Sequence, residues 1–481
     1  MFLRGVIGYL PVNIVQGVVG LLTIVVFTRL LSPAQYGAYA LAFSVMSLAH
    51  TLIFTWLEAA MARFYAAQAK AGDLPGHFAT LYRAWALLAV GFSVLAGLVV
   101  WLWPMPDPLR LAVAAGLAAI LVRSLLKLAQ ERRRAGGDVT GAALIDIVQT
   151  IGGFAVGAGL AVIGWGGAAP LVGLGAAAAV CLIWALPTEL RARKDGQFEV
   201  VRARLYATYG LPVSLSLILA LVLASTDRFV LAAYRDEVTV GVYQAGYSLA
   251  NRTLDVMFIW LGMAGGPASV SALEHGGLAA LQATARQQAS LMISLTLPAA
   301  VGLALVAHPL ATVMVGPGLR EGAAQVTPWV TISAFLSGIT VYYFHTAFTL
   351  ARRTHLLMAV MAVPAALNLI LNLVLVPRLG LAGALWATLL SYAAGALASW
   401  GLGRKVLALP IPWITLAKAG AAAAVMALVV APITLGGGVL ELAVKAGLGG
   451  LVYGGCALAL NLGDLRSRSV RLAQALQARL A

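Results

Sequence analysis

Long apolar runs, each closed by a charge, a proline or a glycine, recur along the whole chain. They mark fourteen segments: 6–28, 38–62, 83–103, 109–129, 142–163, 168–187, 207–233, 241–264, 288–315, 326–350, 356–376, 380–402, 413–434 and 440–462. As a helix, each is long enough to cross about 30 Å of hydrocarbon. The polar segments between them are short, so no soluble domain fits. The pattern predicts an all-α, polytopic integral membrane protein with about 14 transmembrane helices.

Composition supports this reading. Of 481 residues, 61% are hydrophobic and 10% charged, against about 45–50% and about 25% in soluble domains. The first apolar run is too long for the core of a cleavable signal and lacks a small-residue exit, so the first helix is expected to stay. Cys181 and Cys456 both lie inside apolar runs, which argues against a disulfide framework and a cysteine-based metal site. With no P-loop, HExxH or nucleophile elbow and no large loop to carry catalytic side chains, the expectation is a protein that is not an enzyme and uses no cofactor or metal.

The net charge of +15 would suggest nucleic acid in a soluble chain. Here the basic residues instead report topology. With the N-terminus inside, 22 of the 32 Lys and Arg fall on inner segments, 6 on outer segments and 4 within spans. Both termini are therefore expected in the cytoplasm, with anionic lipid and not nucleic acid as the general basic-residue partner. Glu131-Arg132-Arg133-Arg134 and Arg191-Ala192-Arg193-Lys194 read as anchors on that side, with specific lipid-head binding as the alternative.

The chain also repeats itself. At an offset of 204, Gly37, Tyr39, Ser44, Phe54, Trp56 and Leu57 meet identical residues at Gly241, Tyr243, Ser248, Phe258, Trp260 and Leu261. Tyr9-Leu10-Pro11 similarly faces Gly210-Leu211-Pro212. The offset spans six helices, so the copies enter the membrane in the same sense, a parallel repeat of the kind transporters use. The predicted organisation is a lobe of six helices (1–190), a second such lobe (191–406), and two further helices with a basic tail (407–481).

A charge at the centre of a membrane helix costs about 2.5–3.5 kcal/mol on insertion scales, so each one needs a reason. Arg252, halfway along the eighth span, is the first candidate for an anion-binding residue lining a cavity. Asp255 shares its helix face, and an internal ion pair is the competing reading. Arg123 and Lys127 share a face of the fourth span, as cavity cations or snorkelling anchors. Asp227 and Arg228 read as a tie between a helix end and its neighbour. Glu58, Asp146, His50 and His345 are candidates for a coupling ion or proton, and Lys418 for an interfacial anchor.

Three strings carry a family resemblance. They are Thr28-Arg29-Leu30-Leu31-Ser32-Pro33-Ala34-Gln35-Tyr36-Gly37-Ala38-Tyr39, Asp227-Arg228-Phe229 with Val240-Gly241-Val242-Tyr243, and the hairpin from Asn368 through Asn372, Pro377, Gly380, Gly383, Ala384 and Ala387 to Tyr392. Together they resemble the polysaccharide-export flippases of the Wzx type. The wider superfamily includes peptidoglycan lipid-precursor flippases and multidrug antiporters. The resemblance implies a plasma-membrane transporter that moves a polyprenyl-diphosphate-linked oligosaccharide outward by alternating access. Its implied partners are that substrate, membrane lipids and other polysaccharide-assembly proteins. It also implies that Arg252 corresponds to a diphosphate-binding arginine of the lipid-precursor branch, although the first helix here lacks a deep arginine. The small residues of the hairpin are expected to pack, not to bind.

Overall fold

The computed structural model describes residues 2–462, with the backbone alone described at 2–10 and 354. The basic tail residues Arg466, Arg468, Arg471 and Arg479 lie outside the described residues. The chain divides into two compact units, Met1–Gln244 and Ala245–Ala481.

Among the described residues every regular element is a helix. The first unit holds α1 (Phe2–Leu30), α2 (Pro33–Ile53), α3 (Thr55–Ala71), α4 (Leu74–Leu102), α5 (Asp107–Ala135), α6 (Val139–Val162), α7 (Ala169–Ala192), α8 (Val200–Tyr234) and the start of α9 (Glu237–Leu305). The second holds the rest of α9, then α10 (Ala307–Met314), α11 (Pro317–Ile339), α12 (Thr346–Leu350), α13 (Thr354–Leu379), α14 (Leu381–Val406), α15 (Trp413–Val430) and α16 (Gly438–Ala459).

Thirteen helical stretches among the described residues are long and apolar enough to span a membrane. One of them, α9, has 69 residues and is broken at Gly277, whose φ of 67° and ψ of −162° lie outside the helical region. Counted on either side of that glycine, the stretches make fourteen, one for each predicted span. The chain is a multi-pass membrane protein.

The second predicted span differs in detail. It starts at Pro33, five residues early, because Ser32 closes a capping box: its Oγ accepts from the Gln35 amide at 3.3 Å, and its own amide donates to Gln35 Oε1 at 3.0 Å. Pro33 at the first helical position needs no amide partner. The span is also two helices, since Phe54 (φ −114°, ψ −26°) separates α2 from α3. Phe54 is 1% exposed and packs with Leu57, Met61, Phe92 and Ile120 in the core of the first unit.

The polar stretch around 193–199 is held to α4 by Thr80, which donates to the Gln197 carbonyl at 3.5 Å and accepts the Glu199 amide at 3.4 Å. Just beyond it, at the start of α8, Arg202 reaches Asp73 at 2.5 Å, and Tyr206 meets the buried His77 ring at 2.5 Å. The Arg202 guanidinium keeps the Asp73 carboxyl below its ordinary range.

The repeated glycines explain their own spacing. Gly37, near the start of α2, crosses the start of α9. A Cβ there would lie 1.8 Å from the Glu237 carbonyl oxygen and 3.0 Å from the Gly241 amide nitrogen. The two backbones can approach only where neither carries a side chain. In the second unit Gly383 plays a similar part: its Cβ would sit 2.5 Å from the Leu375 carbonyl oxygen, so α13 and α14 pack as a tight hairpin. Gly380 turns the chain between them at φ 59°.

Gly37→Ala forces a methyl into a backbone carbonyl and is expected to destabilise by at least about 1–3 kcal/mol. Gly17→Ala, where nothing lies within 4 Å, is the control. Melting midpoint and monodisperse yield in detergent should fall for the first variant only.

Candidate functional site

Four of the singled-out residues converge in the first unit. His50 comes from the last turn of α2, Glu58 from the first turn of α3, and Arg123 and Lys127 from α5. They line one cavity of about 300 Å³ with Ser47, Thr51 and Thr55, and Leu221 of α8 also lines it.

His50 Nε2 and Glu58 Oε1 are 2.8 Å apart, at 21% and 17% side-chain exposure. The pair bridges the break at Phe54, joining α2 to α3 across the interruption of the helix. Lys127 is tied to Asp146 at 3.3 Å. Arg123 is different. It lies about 24 Å along α5 from the Asp107 end and about 18 Å from the other, and its Nη1 is buried and makes no hydrogen bond. Burying a donor without a partner is costly, more so on a charged group. Arg123 thus has donor capacity that an anion entering the cavity would fill.

The remaining candidates lie elsewhere. Asp227 accepts the Tyr243 hydroxyl at 2.6 Å, and Arg228 donates to Gln244 Oε1 and to the Ala224 carbonyl. The bonds to Tyr243 and Gln244 tie α8 to the start of α9. Arg252 is exposed, about 22 Å along α9. Asp255 instead takes a hydrogen bond from Asn251 Nδ2 at 2.5 Å. Among the described residues no ion pair joins Arg252 to Asp255. His345 directly follows the π-helical turn Thr340–Phe344, and Lys418 donates to the Leu460 carbonyl at 2.8 Å.

Two charged clusters join residues that the sequence shows only singly to Gln130, Glu189 and Tyr82. Asp146 accepts from Gln130 at 3.0 Å and from Arg134 at 2.7 Å, besides Lys127. Glu189, 2% exposed, accepts from Arg132 Nη2 at 2.7 Å and from the Tyr82 hydroxyl at 2.6 Å. The available signal was the position of Glu189 as an acid just ahead of Arg191, Arg193 and Lys194. Among the described residues no three His, Cys, Asp or Glu side chains gather as metal ligands.

The model of the polysaccharide biosynthesis protein family matches residues 26–320, more than half of the chain. The chain belongs to that family. No curated protein matches it in sequence. Among solved structures it is similar to "Lipid II flippase MurJ, inward closed conformation", with a TM-score of 0.78 at 13% identity, covering 94% of this chain and 98% of that one. It is also similar to an inward-facing multidrug resistance MATE family transporter of the MOP superfamily, with a TM-score of 0.64 at 14% identity, covering 81% and 94% of the two chains. A MOP superfamily transporter from Pyrococcus furiosus matches with a TM-score of 0.53 at 13% identity over 83% and 92%. At such identities the likeness establishes the fold, that of the MOP-superfamily transporters.

Within this family member the two arginine environments predict opposite stability effects. Glu189→Gln leaves Arg132 largely buried without its counter-charge and should destabilise by roughly 3–5 kcal/mol. Arg123→Met removes a charge that lacks a full set of partners, so its melting midpoint should stay level or rise. A thermal melt in detergent that ranks the two variants the other way would contradict this account.

Proposed function

We propose that this protein is a flippase carrying a polyprenyl-diphosphate-linked oligosaccharide from the inner to the outer leaflet of the plasma membrane, for surface polysaccharide assembly. The observation that carries the reading is the Arg123 cavity: a buried guanidinium nitrogen without a hydrogen bond, inside a member of a polysaccharide biosynthesis family. The two-negative diphosphate is the part of such a cargo that most resists crossing hydrocarbon. A fixed cation substitutes for part of its hydration.

In this reading the lobes 1–190 and 191–406 open alternately, both termini face the cytoplasm, and 407–481 is an appendage. Arg123 receives the diphosphate, with Lys127 nearer the basic end, and Arg252 is a separate candidate cation of the second unit. An inside-negative potential favours outward movement of the head by about 2.3 kcal/mol per charge per 100 mV. The His50–Glu58 pair is the candidate coupling element for the return step, since it spans the Phe54 break inside the same cavity. Asp227, Arg228 and Asp255 serve structure. Other assembly proteins are natural partners, because the flipped unit must be polymerised.

A peptidoglycan lipid precursor is the second reading, favoured by the TM-score of 0.78 to the lipid II flippase. It shares the diphosphate. Deletion separates the two. Loss of a surface polysaccharide with lipid-linked units retained inside supports the first, whereas arrest of wall synthesis supports the second. Drug sensitivity with normal polymers would point to a small-molecule antiporter.

Arg123→Gln should lower transport of a fluorescent lipid-linked oligosaccharide in proteoliposomes by about tenfold or more, the effect of losing a charge-assisted hydrogen bond. Wild-type transport by this variant at equal folded protein would remove Arg123 from the site. The same assay applied to Arg252→Gln tests the second cation separately.

A further inference from the structure

A second polar cavity lies in the first unit, at the basic end of α5. It holds about 340 Å³ and is lined by Tyr65, Arg132, Arg133, Asp138, Trp184 and Thr188. The Arg133 side chain is only 10% exposed. Its guanidinium carbon sits 4.8 Å from the centre of the Trp184 ring, and its Nη1 donates to Asp138 Oδ2 at 3.3 Å. Its Nε is buried and makes no hydrogen bond.

The neighbouring charges are already engaged. Glu189 is taken by Arg132 and Tyr82. Asp138 is half exposed and caps α6, accepting the Gly141 amide at 2.9 Å. Each acid thus already carries an arginine, and Arg133 still keeps an unfilled donor.

An apolar surface begins at the same place. Trp184, Ile183 and Val180 are 57%, 75% and 63% exposed. Their spacing puts them on one face of α7, extending from Thr188 about 12 Å along the helix axis. A donor-bearing pocket that opens onto an exposed apolar helix face has the shape of an amphiphile with an anionic head and acyl chains.

We propose that this cavity binds the phosphate headgroup of an anionic phospholipid from the adjacent leaflet, with Arg133 as phosphate ligand and the acyl chains along Val180, Ile183 and Trp184. The site is separate from the Arg123 cavity, and the proposal does not depend on what the protein transports.

The test is native mass spectrometry of the full chain in detergent, titrated with dioleoyl phosphatidylglycerol, dioleoyl phosphatidylcholine or inorganic phosphate. Phosphatidylglycerol should be retained in preference to phosphatidylcholine, and phosphate alone should not compete. Arg133→Gln should weaken phosphatidylglycerol binding about tenfold or more. Thr188→Phe, at an exposed position that leaves Arg133 in place, should weaken it similarly by filling the cavity, and it carries the test if Arg133→Gln does not fold. Arg404→Gln is the charge control: Arg404 also lies over a tryptophan, 5.0 Å from the Trp400 ring centre, but beside a cavity of only about 10 Å³. Equal losses for Arg133→Gln and Arg404→Gln would reduce the effect to surface charge. Equal binding of phosphatidylcholine, competition by phosphate alone, or undiminished binding by Thr188→Phe would each overturn the proposal.

Discussion

An ion in hydrocarbon must be matched by a partner close at hand, and that requirement organises this structure. The buried carboxylates meet it. Asp146 takes three side-chain donors. Glu189 takes Arg132 and Tyr82, and Asp227 takes Tyr243. Glu441 pairs with Lys445 at 2.8 Å and also receives the Leu435 and Gly437 amides at the start of α16. The cations are matched less completely: Arg123 and Arg133 each keep a buried nitrogen without a hydrogen bond. At these two places an unfilled cationic donor favours anionic visitors over cationic ones.

The backbone is interrupted beside these charges. α2 gives way to α3 at Phe54, between His50 and Glu58, and the π-helical turn Thr340–Phe344 precedes His345. A continuous helix satisfies its own backbone in lipid, so interruptions persist where packing or side chains re-satisfy the freed groups. At Phe54 a buried aromatic core does part of this, and the His50–Glu58 bridge fastens the two segments from outside. That fastening is one polar contact between two side chains, whereas the packing around Phe54 is spread over many apolar ones.

Most of the fold was legible because membrane spanning leaves a coarse signal: about twenty apolar residues, then a break. The signal failed where helix and hydropathy part company. The stretch 265–287 is polar enough to read as a loop, yet both sides of Gly277 are helical, because alanine, leucine and glutamine keep high helix propensity without being uniformly apolar. The start of α2 was missed by five residues although Ser32-Pro33-Ala34-Gln35 spells a cap, since the apolar run begins later. At the candidate site the single residues were visible and their grouping was not. His50, Glu58 and Arg123 come from three helices, and nothing in their sequence separation says that they share a cavity. Conversely, the three-residue spacing of Arg252 and Asp255 suggested a pair, but Asn251, four residues before Asp255, supplies the donor instead.

α5 joins the two cavities. Arg123, Lys127, Gln130 and Arg134 recur at intervals of four, three and four and so form one stripe, from mid-helix to the basic end. The last three of these all donate to Asp146, and Arg134 also pairs with Glu131, so the two cations near that end are balanced and the unused capacity lies at Arg123. Arg132 and Arg133 face away from the stripe, toward Glu189 and Trp184. A uniformly basic stripe would hold an anion at the rim, where arginines and water are abundant. Asp146 and Glu131 bond the rim cations directly, whereas Arg123 shares its cavity with Glu58, which is itself held by His50, so along this stripe an unfilled donor faces an anion at the deep position and not at the rim.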